Sequence, residues 1–101
     1  MENNEKKEIY ELFGELIHIA VNELYMNNIE QGLNIISKVI EFYGEIKLTI
    51  IDASKVDKTE NIFQSIIDAT EKKDYILVSD LLEYDLNPQL KVQLVGEKYN
   101  I

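Results

Sequence analysis

Apolar residues recur at steps of three and four along most of the chain, which is the spacing of one buried face on an α-helix. The first stripe predicts a helix from about Asn4 to Tyr25, and the second predicts a helix that begins near Ile29. A third stripe follows a polar segment, and a fourth begins at Tyr75. Four glycines and one proline are few, which favours long helices over a turn-rich β protein. The pattern therefore predicts one all-α domain over residues 1–101.

The stripes also predict the hydrophobic core. A chain of this length can bury roughly two-thirds of the surface that its unfolded form exposes, so it can fold without covalent staples. The predicted core positions include, in chain order, Ile9, Leu12, Phe13, Leu16, Ile17, Ala20, Leu24, Leu33, Ile36, Ile40, Tyr43, Ile62, Phe63, Ile66, Ile67, Val78, Leu82, Leu86, Leu90 and Leu94.

Residues 35–42 resemble residues 77–84, which lie forty-two positions later. Five of the eight pairs are apolar in both copies, and a serine and a glutamate also recur. The match suggests one helical hairpin used twice, although two amphipathic helices can also look alike by chance. Short connections between long helices make antiparallel neighbours. We therefore predict an antiparallel up-down four-helix bundle built from two helical hairpins, with an elongated hairpin pair as the other arrangement.

Two stretches near the middle of the chain follow the helical pattern less clearly. Residues 46–51 have high β propensity, but no partner strand is evident, so we predict that they continue the second helix. Ser54 and Asp57 are both candidate N-caps for the third helix, and Asp57 is followed three residues later by Glu60, as in a capping box.

Pro88 interrupts the last stripe. Its ring removes one helical hydrogen bond and would clash with the carbonyl of Tyr84, four residues earlier. It also disfavours helical angles at Asn87. The last helix is therefore predicted to be kinked or broken near Pro88. The stripe keeps its phase across the proline, which favours one kinked helix.

The charge of the chain restricts its partners. Nineteen acids against ten bases give a net charge of −9, and all ten bases are lysine. Such a chain is a poor nucleic-acid binder and is repelled by anionic membranes, so we expect neither partner. The absence of cysteine excludes disulfides and thiolate metal sites. Residues 1–5 are polar and acidic, unlike a secretory signal, and the expected location is the cytoplasm.

Glu15 and His18 form a Glu-x-x-His pattern, which carries metal in carboxylate-bridged helical bundles. The chain has one histidine, so a second copy of the motif would have to come from a dimer mate. Both residues share a polar stripe with Glu11 and Asn22, away from the predicted core. They are weak candidates for metal ligands. No nucleophile elbow or phosphate-binding loop is present, and we expect no enzyme activity and no cofactor.

The segment from Asp74 to Pro88 mixes an apolar stripe, two tyrosines and several acids. Tyrosine suits interfaces because its ring is apolar and its tip is polar. We predict a partner-binding patch there, although Tyr75 and Tyr84 could instead border the core with wet hydroxyls. The predicted contact residues are Tyr75, Asp80, Glu83 and Tyr84. Four apolar residues off the main stripes could supply further contacts: Val21, Ile35, Ile76 and Val92.

The pattern of this segment, Asp-Tyr-x-Leu-x-x-Asp-Leu-Leu-Glu-Tyr-x-Leu-x-Pro, resembles the closing helix of uncharacterised small acidic all-helical proteins of low-GC bacteria. That resemblance implies an all-α fold and no activity. In size, acidity and bundle form the chain is also similar to flagellin export chaperones, which bind an extended helical partner in hydrophobic grooves. It shares no specific motif with them, so no binding residue carries over.

These observations predict a small cytoplasmic protein-binding or adaptor-like helical module. It would act by helix-in-groove contact or by forming a homodimer. The alternative is a dimeric metal-binding helical protein that uses Glu15 and His18. A third possibility, suggested by charge sign alone, is a mimic of DNA.

Overall fold

A computed structural model describes residues 3–49 and 53–96. Within them the chain is helical, without a strand, and the predicted all-α bundle is confirmed. We call Tyr75–Leu94 the closing helix, because it runs continuously through three consecutive segments. The elements are α1 (Asn3–Tyr25), α2 (Ile29–Ile46), α3 (Ala53–Glu71), and then, within the closing helix, α4 (Tyr75–Asp80), a π-helical turn (Leu81–Leu86) and α5 (Asn87–Leu94).

Three of the four pairs of neighbouring helices in the bundle pack closely. α1 lies along α2 and along the closing helix, and α3 packs against the closing helix. Direct backbone approach between α2 and α3 is slight. The short turns after α1 and α3 make each hairpin antiparallel, as predicted. The side between α2 and α3 is therefore the open side of the bundle.

The two hairpins end their first helix in the same way. Asn27 and Lys73 both adopt a left-handed backbone, with φ of 64° and 58°. The residue after each donates its N–H to a carbonyl five residues back, from Asn28 to Glu23 and from Asp74 to Ala69, at 2.8 and 2.9 Å. This pair of features is a Schellman-type helix end.

The distance along the chain between these two turns shows that the predicted repeat length is wrong. Positions 27 and 73 are 46 apart, so the hairpins repeat at 46 residues and not at the predicted 42. The sequence match at 42 residues is therefore four residues, or about one turn of α-helix, shorter than the distance between the two interhelical connections. At a spacing of 46, the buried residues Phe13, Ile17 and Ala20 correspond to the buried residues Thr59, Phe63 and Ile66.

The predicted core of the closing helix is confirmed. Its five stripe residues are no more than 5 % exposed: Val78, Leu82, Leu86, Leu90 and Leu94. Elsewhere the buried faces are rotated slightly from the prediction. Leu12 and Ile67 are 44 % and 38 % exposed, whereas Val21 is buried. The shift at Val21 follows from the position of α1, which packs between α2 and the closing helix and buries a wider face.

The predicted helix over residues 46–51 is wrong where the structure describes it. α2 ends at Ile46, and Lys47–Thr49 form a turn. Both the N–H and the hydroxyl of Thr49 donate to the carbonyl of Ile46, each at 3.0 Å. Side-chain bonding of this kind competes with helix continuation. Ile50 and Ile51 lie outside the described residues.

The predicted N-caps of α3 are also wrong. α3 begins at Ala53, so Ser54 and Asp57 lie inside its first turns. Asp74, by contrast, caps α4, because its carboxylate accepts a hydrogen bond from the N–H of Leu77 at 3.1 Å.

The closing helix continues through Pro88, which decides between the two predicted alternatives. Asn87 keeps helical angles, with φ −58° and ψ −48°, despite the proline that follows. Its N–H donates to the carbonyl of Leu82, five residues back instead of four. This wider π-type turn moves the carbonyl of Tyr84 away from the proline ring. The clash expected in a regular α-helix is thereby avoided.

The spacing of the core leucines gives a second reason for the π turn. Val78, Leu82, Leu86, Leu90 and Leu94 are separated by four residues each. At about 100° per residue, each step drifts about 40° around a regular helix, so the last would lie about 160° from the first. A π turn holds one extra residue per turn, which reduces the accumulated rotation by about 100°. All five side chains therefore reach the same core.

Two buried polar atoms flank the π turn without a hydrogen-bond partner among the described residues. They are the hydroxyl oxygen of Ser79 and the amide oxygen of Asn87. Each unsatisfied buried group costs about 1–3 kcal/mol. The closing helix is therefore not optimised for stability alone at this position.

A polar network is buried where α2, α3 and α5 meet. The hydroxyl of Thr59 donates to the Gln93 side-chain oxygen at 2.7 Å, and the Gln93 amide donates to the Tyr43 hydroxyl at 3.1 Å. Thr59 and Tyr43 are almost fully buried, and Gln93 is nearly so. The amide of Gln93 thus satisfies two buried hydroxyls at once, which ties α5 to both neighbouring helices.

Gly32 marks the closest approach of α1 and α2. A β-carbon at this position would lie 2.8 Å from Cδ2 and 3.0 Å from Cγ of Leu24, and 3.3 Å from the carbonyl oxygen of Ala20. Gly14 and Gly44 have no such neighbour within 4 Å. Only Gly32 of these three is therefore required by packing.

Candidate functional site

The open side of the bundle forms an apolar groove between α2 and α3. We call it the α2–α3 groove. Its walls come from the first half of α2 and the last turns of α3, and Glu71 stands at its edge. The lining residues are Leu33, Ile36, Ser37, Ile40, Ile66, Ile67, Thr70 and Glu71. The backbones of α2 and α3 stay apart here. Ile67, which was predicted as core, therefore remains partly exposed, whereas Ile36 and Ile66 are buried.

At the other end, side chains hold α2 and α3 together. Lys47 forms an ion pair with Glu60 at 2.7 Å, and the Tyr43 and Phe63 rings meet edge to face with centroids 5.2 Å apart. The hydrogen bond to Glu60 and its negative charge raise the pKa of Lys47. The two helices are thus linked at one end and leave the groove open at the other.

The size of the groove limits its ligand. Its volume is about 150 Å³. A cavity of about this volume holds a single benzene-sized group, whereas small-molecule sites usually measure about 300–1,000 Å³. The groove therefore fits one large apolar side chain better than a free metabolite.

A second exposed surface lies where α1 ends and the closing helix begins. We call it the tyrosine patch, and it combines large exposed apolar side chains with two carboxylates. Ile76, Asp80 and Tyr84 recur at four-residue intervals on one face of the closing helix. The patch consists of Tyr25, Met26, Ile76, Asp80, Glu83 and Tyr84, of which Tyr25, Ile76 and Tyr84 are 64 %, 74 % and 71 % exposed.

The hydroxyl of Tyr25 lies within electrostatic reach of the closing helix. Partial desolvation raises the pKa of Tyr25, and the negative charges of Glu83 and Asp80 and the neighbouring Tyr84 raise it further. Tyr25 therefore stays protonated at neutral pH and can donate a hydrogen bond. Asp80, Glu83 and Tyr84 lie on the part of the closing helix that packs against α1, and Tyr25 is the last residue of α1.

The carboxylates of Asp80 and Glu83 have no cationic partner within the described part of the chain. The ion pair seen there joins Lys47 to Glu60, on the opposite side of the bundle. The tyrosine patch thus presents two negative charges to solvent beside exposed aromatic rings.

The structure brings together three of the four predicted contact residues. Asp80, Glu83 and Tyr84 lie in the tyrosine patch, whereas Tyr75 is half-buried and packs against the core. The four off-stripe apolar residues do not form one surface. Val21 is fully in the core, Ile35 and Val92 are half-buried, and only Ile76 is strongly exposed.

Glu15 and His18 lie on the exposed face of α1, as predicted. His18 is within hydrogen-bond distance of the Asn22 amide, at 3.3 Å. Among the residues that the structure describes, no three His, Cys, Asp or Glu side chains converge as metal ligands.

A cleft of about 420 Å³ lies between α3 and the closing helix. Lys58 and Asp85 supply its charges, and Ile62, Pro88 and Val92 supply apolar surface. Its lining contains no histidine and no serine or cysteine nucleophile. It is an open depression on the flank of the π turn.

Tyr25 and the open groove were not predicted from the sequence. Tyr25 directly follows the last stripe residue of α1 and precedes the turn, which is a recognisable position for an exposed aromatic residue. The groove has no comparable signal, because Ile40 and Ile67 follow the same periodicity as buried residues. Only the packing of α2 against α3 decides their exposure.

In the described part of the chain, no helix is long and apolar enough to cross a membrane. A search of curated proteins and a search of solved structures found no match to the chain. A family model covers residues 4–92, which include all four helices of the bundle up to the last turn of α5. That match agrees with the resemblance to uncharacterised proteins and gives no link to flagellin export chaperones. The chain belongs to the family described as "Domain of unknown function (DUF8042)".

Proposed function

We propose that the protein is a small cytoplasmic protein-binding module, which accepts an amphipathic helix of a partner protein in the α2–α3 groove. The observation that carries the proposal is the groove between α2 and α3, where the two backbones stay apart and partly exposed apolar side chains such as Ile67 line a cavity of about 150 Å³. Binding without catalysis is the proposed activity. The cytoplasmic location rests on the acidic, cysteine-free composition.

Helix-in-groove recognition uses large apolar anchors at helical spacing, each seated between two helices of the receptor. The groove volume of about 150 Å³ suits one such anchor. Ile40 and Ile67 stand on opposite walls and would cover its sides. The net charge of −9 and Glu71 at the rim favour lysine or arginine on the flanks of the partner helix.

The test uses a peptide that carries leucines at helical spacing, lysines on its polar face and one tryptophan at the central anchor. The chain has no tryptophan, so the peptide fluorescence reports burial of the anchor directly. We expect a blue shift with a Kd on the order of micromolar. Ile67→Lys should weaken binding at least about tenfold, because it places a charge in the apolar groove.

The matched control is Ile19→Lys, which adds the same charge at an exposed isoleucine on α1. It should change the Kd by less than about twofold. Equal weakening by both variants would show attraction by net charge alone and would contradict the proposal. A dimer in sedimentation analysis that Ile67→Lys dissociates would assign the groove to a second copy of the chain.

A further inference from the structure

We propose that the tyrosine patch is a second binding surface, which holds a segment of a partner protein where an arginine or lysine is flanked by apolar residues. This surface lies between α1 and the closing helix, away from the α2–α3 groove, and the proposal does not depend on the function proposed for that groove.

The apolar part of the patch is exposed at several neighbouring positions. Tyr25 and Met26 end α1 and start the following turn, and Ile76 lies one turn before Asp80 on the closing helix. All three side chains are well exposed, although the core nearby is closely packed. Clustered exposed apolar residues with a polar rim are typical of a protein interaction site.

The charge of the patch selects the partner. Asp80 and Glu83 have no cationic partner among the described residues, whereas the acid Glu60 on the other side of the bundle is paired with a lysine. Two unpaired carboxylates beside apolar surface are complementary to a cationic side chain with apolar neighbours. A negatively charged ligand, such as a nucleic acid or an anionic lipid, would be repelled.

The two tyrosines suit the same ligand. A guanidinium or ammonium group is attracted to the face of an aromatic ring, and arginine in particular can stack on a ring while it hydrogen-bonds a carboxylate. Tyr25 ends α1, Tyr84 lies near Asp80 and Glu83 on the closing helix, and α1 packs against that part of the closing helix. A cation between the rings would contact both kinds of group at once.

The π turn contributes two of these groups directly. Glu83 and Tyr84 lie inside it, and α1 packs against it. Single π turns inside α-helices occur frequently at functional sites. Here the turn also leaves buried polar atoms of Ser79 and Asn87 without a partner among the described residues.

The test measures binding of the blocked peptide Gly-Leu-Arg-Leu-Gly to the full chain by amide chemical shifts. We expect saturable shifts centred on Tyr25, Asp80, Glu83 and Tyr84. A matched peptide with citrulline in place of arginine, which lacks the charge, should bind at least about tenfold more weakly. Rising salt should weaken the arginine peptide, because the contacts are exposed to solvent.

Two double variants distinguish binding at the tyrosine patch from general attraction by the net negative charge of the protein. The double variant Asp80→Asn with Glu83→Gln should weaken binding of the arginine peptide at least about tenfold. The control double variant Glu11→Gln with Glu15→Gln removes the same charge elsewhere and should change the affinity by less than about twofold. Equal weakening by both, shifts spread over all acidic faces or no saturable binding would overturn the proposal. Shifts of the patch that grow with protein concentration alone would overturn it in favour of a second copy. Ile67→Lys should leave this binding unchanged, so the two surfaces are tested independently.

Discussion

Gly32→Leu should lower the free energy of unfolding by about 2–4 kcal/mol and the Tm by at least about 10 °C. The new side chain would begin with a β-carbon 2.8 Å from Leu24 and 3.3 Å from the carbonyl of Ala20. Neither neighbour can move freely, because the Leu24 side chain is buried in the core and the Ala20 carbonyl oxygen is part of the backbone of α1. α1 and α2 would have to separate along their main contact. Urea unfolding followed by circular dichroism measures the loss.

The matched control is Gly44→Leu, on the same helix. Gly44 has no neighbour within 4 Å of a built β-carbon, so the substitution should be neutral or stabilise by up to about 1 kcal/mol through helix propensity. In a Leu24→Ala background the penalty of Gly32→Leu should shrink by more than about 1 kcal/mol, because the nearest clashing atoms are gone. Equal effects at Gly32 and Gly44 would show that the two helices do not meet at Gly32.

Gln93→Leu should destabilise the protein by about 2–4 kcal/mol. Gln93 satisfies the buried hydroxyls of Thr59 and Tyr43, at 2.7 and 3.1 Å. Without the amide, the Tyr43 hydroxyl has no remaining partner among the described residues. Thr59 keeps only a long bond of 3.4 Å to the carbonyl of Lys55. The free energy gained by burying an apolar leucine side chain offsets only part of the cost of leaving two buried hydroxyls without good hydrogen bonds. The measurement is the free energy of unfolding in urea.

The rescue variant combines Gln93→Leu with Tyr43→Phe and Thr59→Val. It removes every polar atom of the network at once, so no buried group is left unsatisfied, and its stability should return to within about 1 kcal/mol of the parent. A triple variant no more stable than Gln93→Leu alone would mean that packing, and not hydrogen bonding, explains the loss.

Much of the fold was predictable from the chain, because each helix has an amphipathic stripe and each connection is short. The stripe from Val78 to Leu94 located the deepest part of the core, and the gap between the predicted helices that end at Tyr25 and begin near Ile29 located the first turn. These features depend on residues close together in sequence. The predicted contact residues Asp80, Glu83 and Tyr84 lie on one surface for the same reason, since they share one helix face.

What the chain did not reveal depends on contacts between helices. Nothing in the periodicity of Ile67 shows that α2 stays apart from α3, and nothing near Tyr25 shows that it meets the closing helix. The hairpin spacing of 46 was hidden by a stronger match at 42, because stripes look alike when shifted by one turn. The π turn had a signal that was not used, namely four consecutive four-residue steps between core residues.

The central claim is that the π turn shapes a recognition surface and is not only a response to Pro88. Deleting Asp85 removes the extra residue and changes the core spacing in the closing helix to four, three, four and four residues. That spacing fits a regular α-helix with the same leucines inward. Adding Pro88→Ala removes the clash that a regular helix would suffer. The variant should therefore keep the core and lose the π turn.

The most direct test is to measure, in this variant, both the Tm and the affinity for the arginine peptide. We predict a folded protein with a Tm within about 5 °C of the parent, or higher, since about 1 kcal/mol corresponds to about 4–8 °C in a chain of this size. We also predict weaker peptide binding, because a regular α-helical turn changes the direction in which Glu83 and Tyr84 project beside α1. Failure to fold would contradict the register argument, and unchanged peptide affinity in a folded variant would contradict the claim that the π turn builds the binding surface.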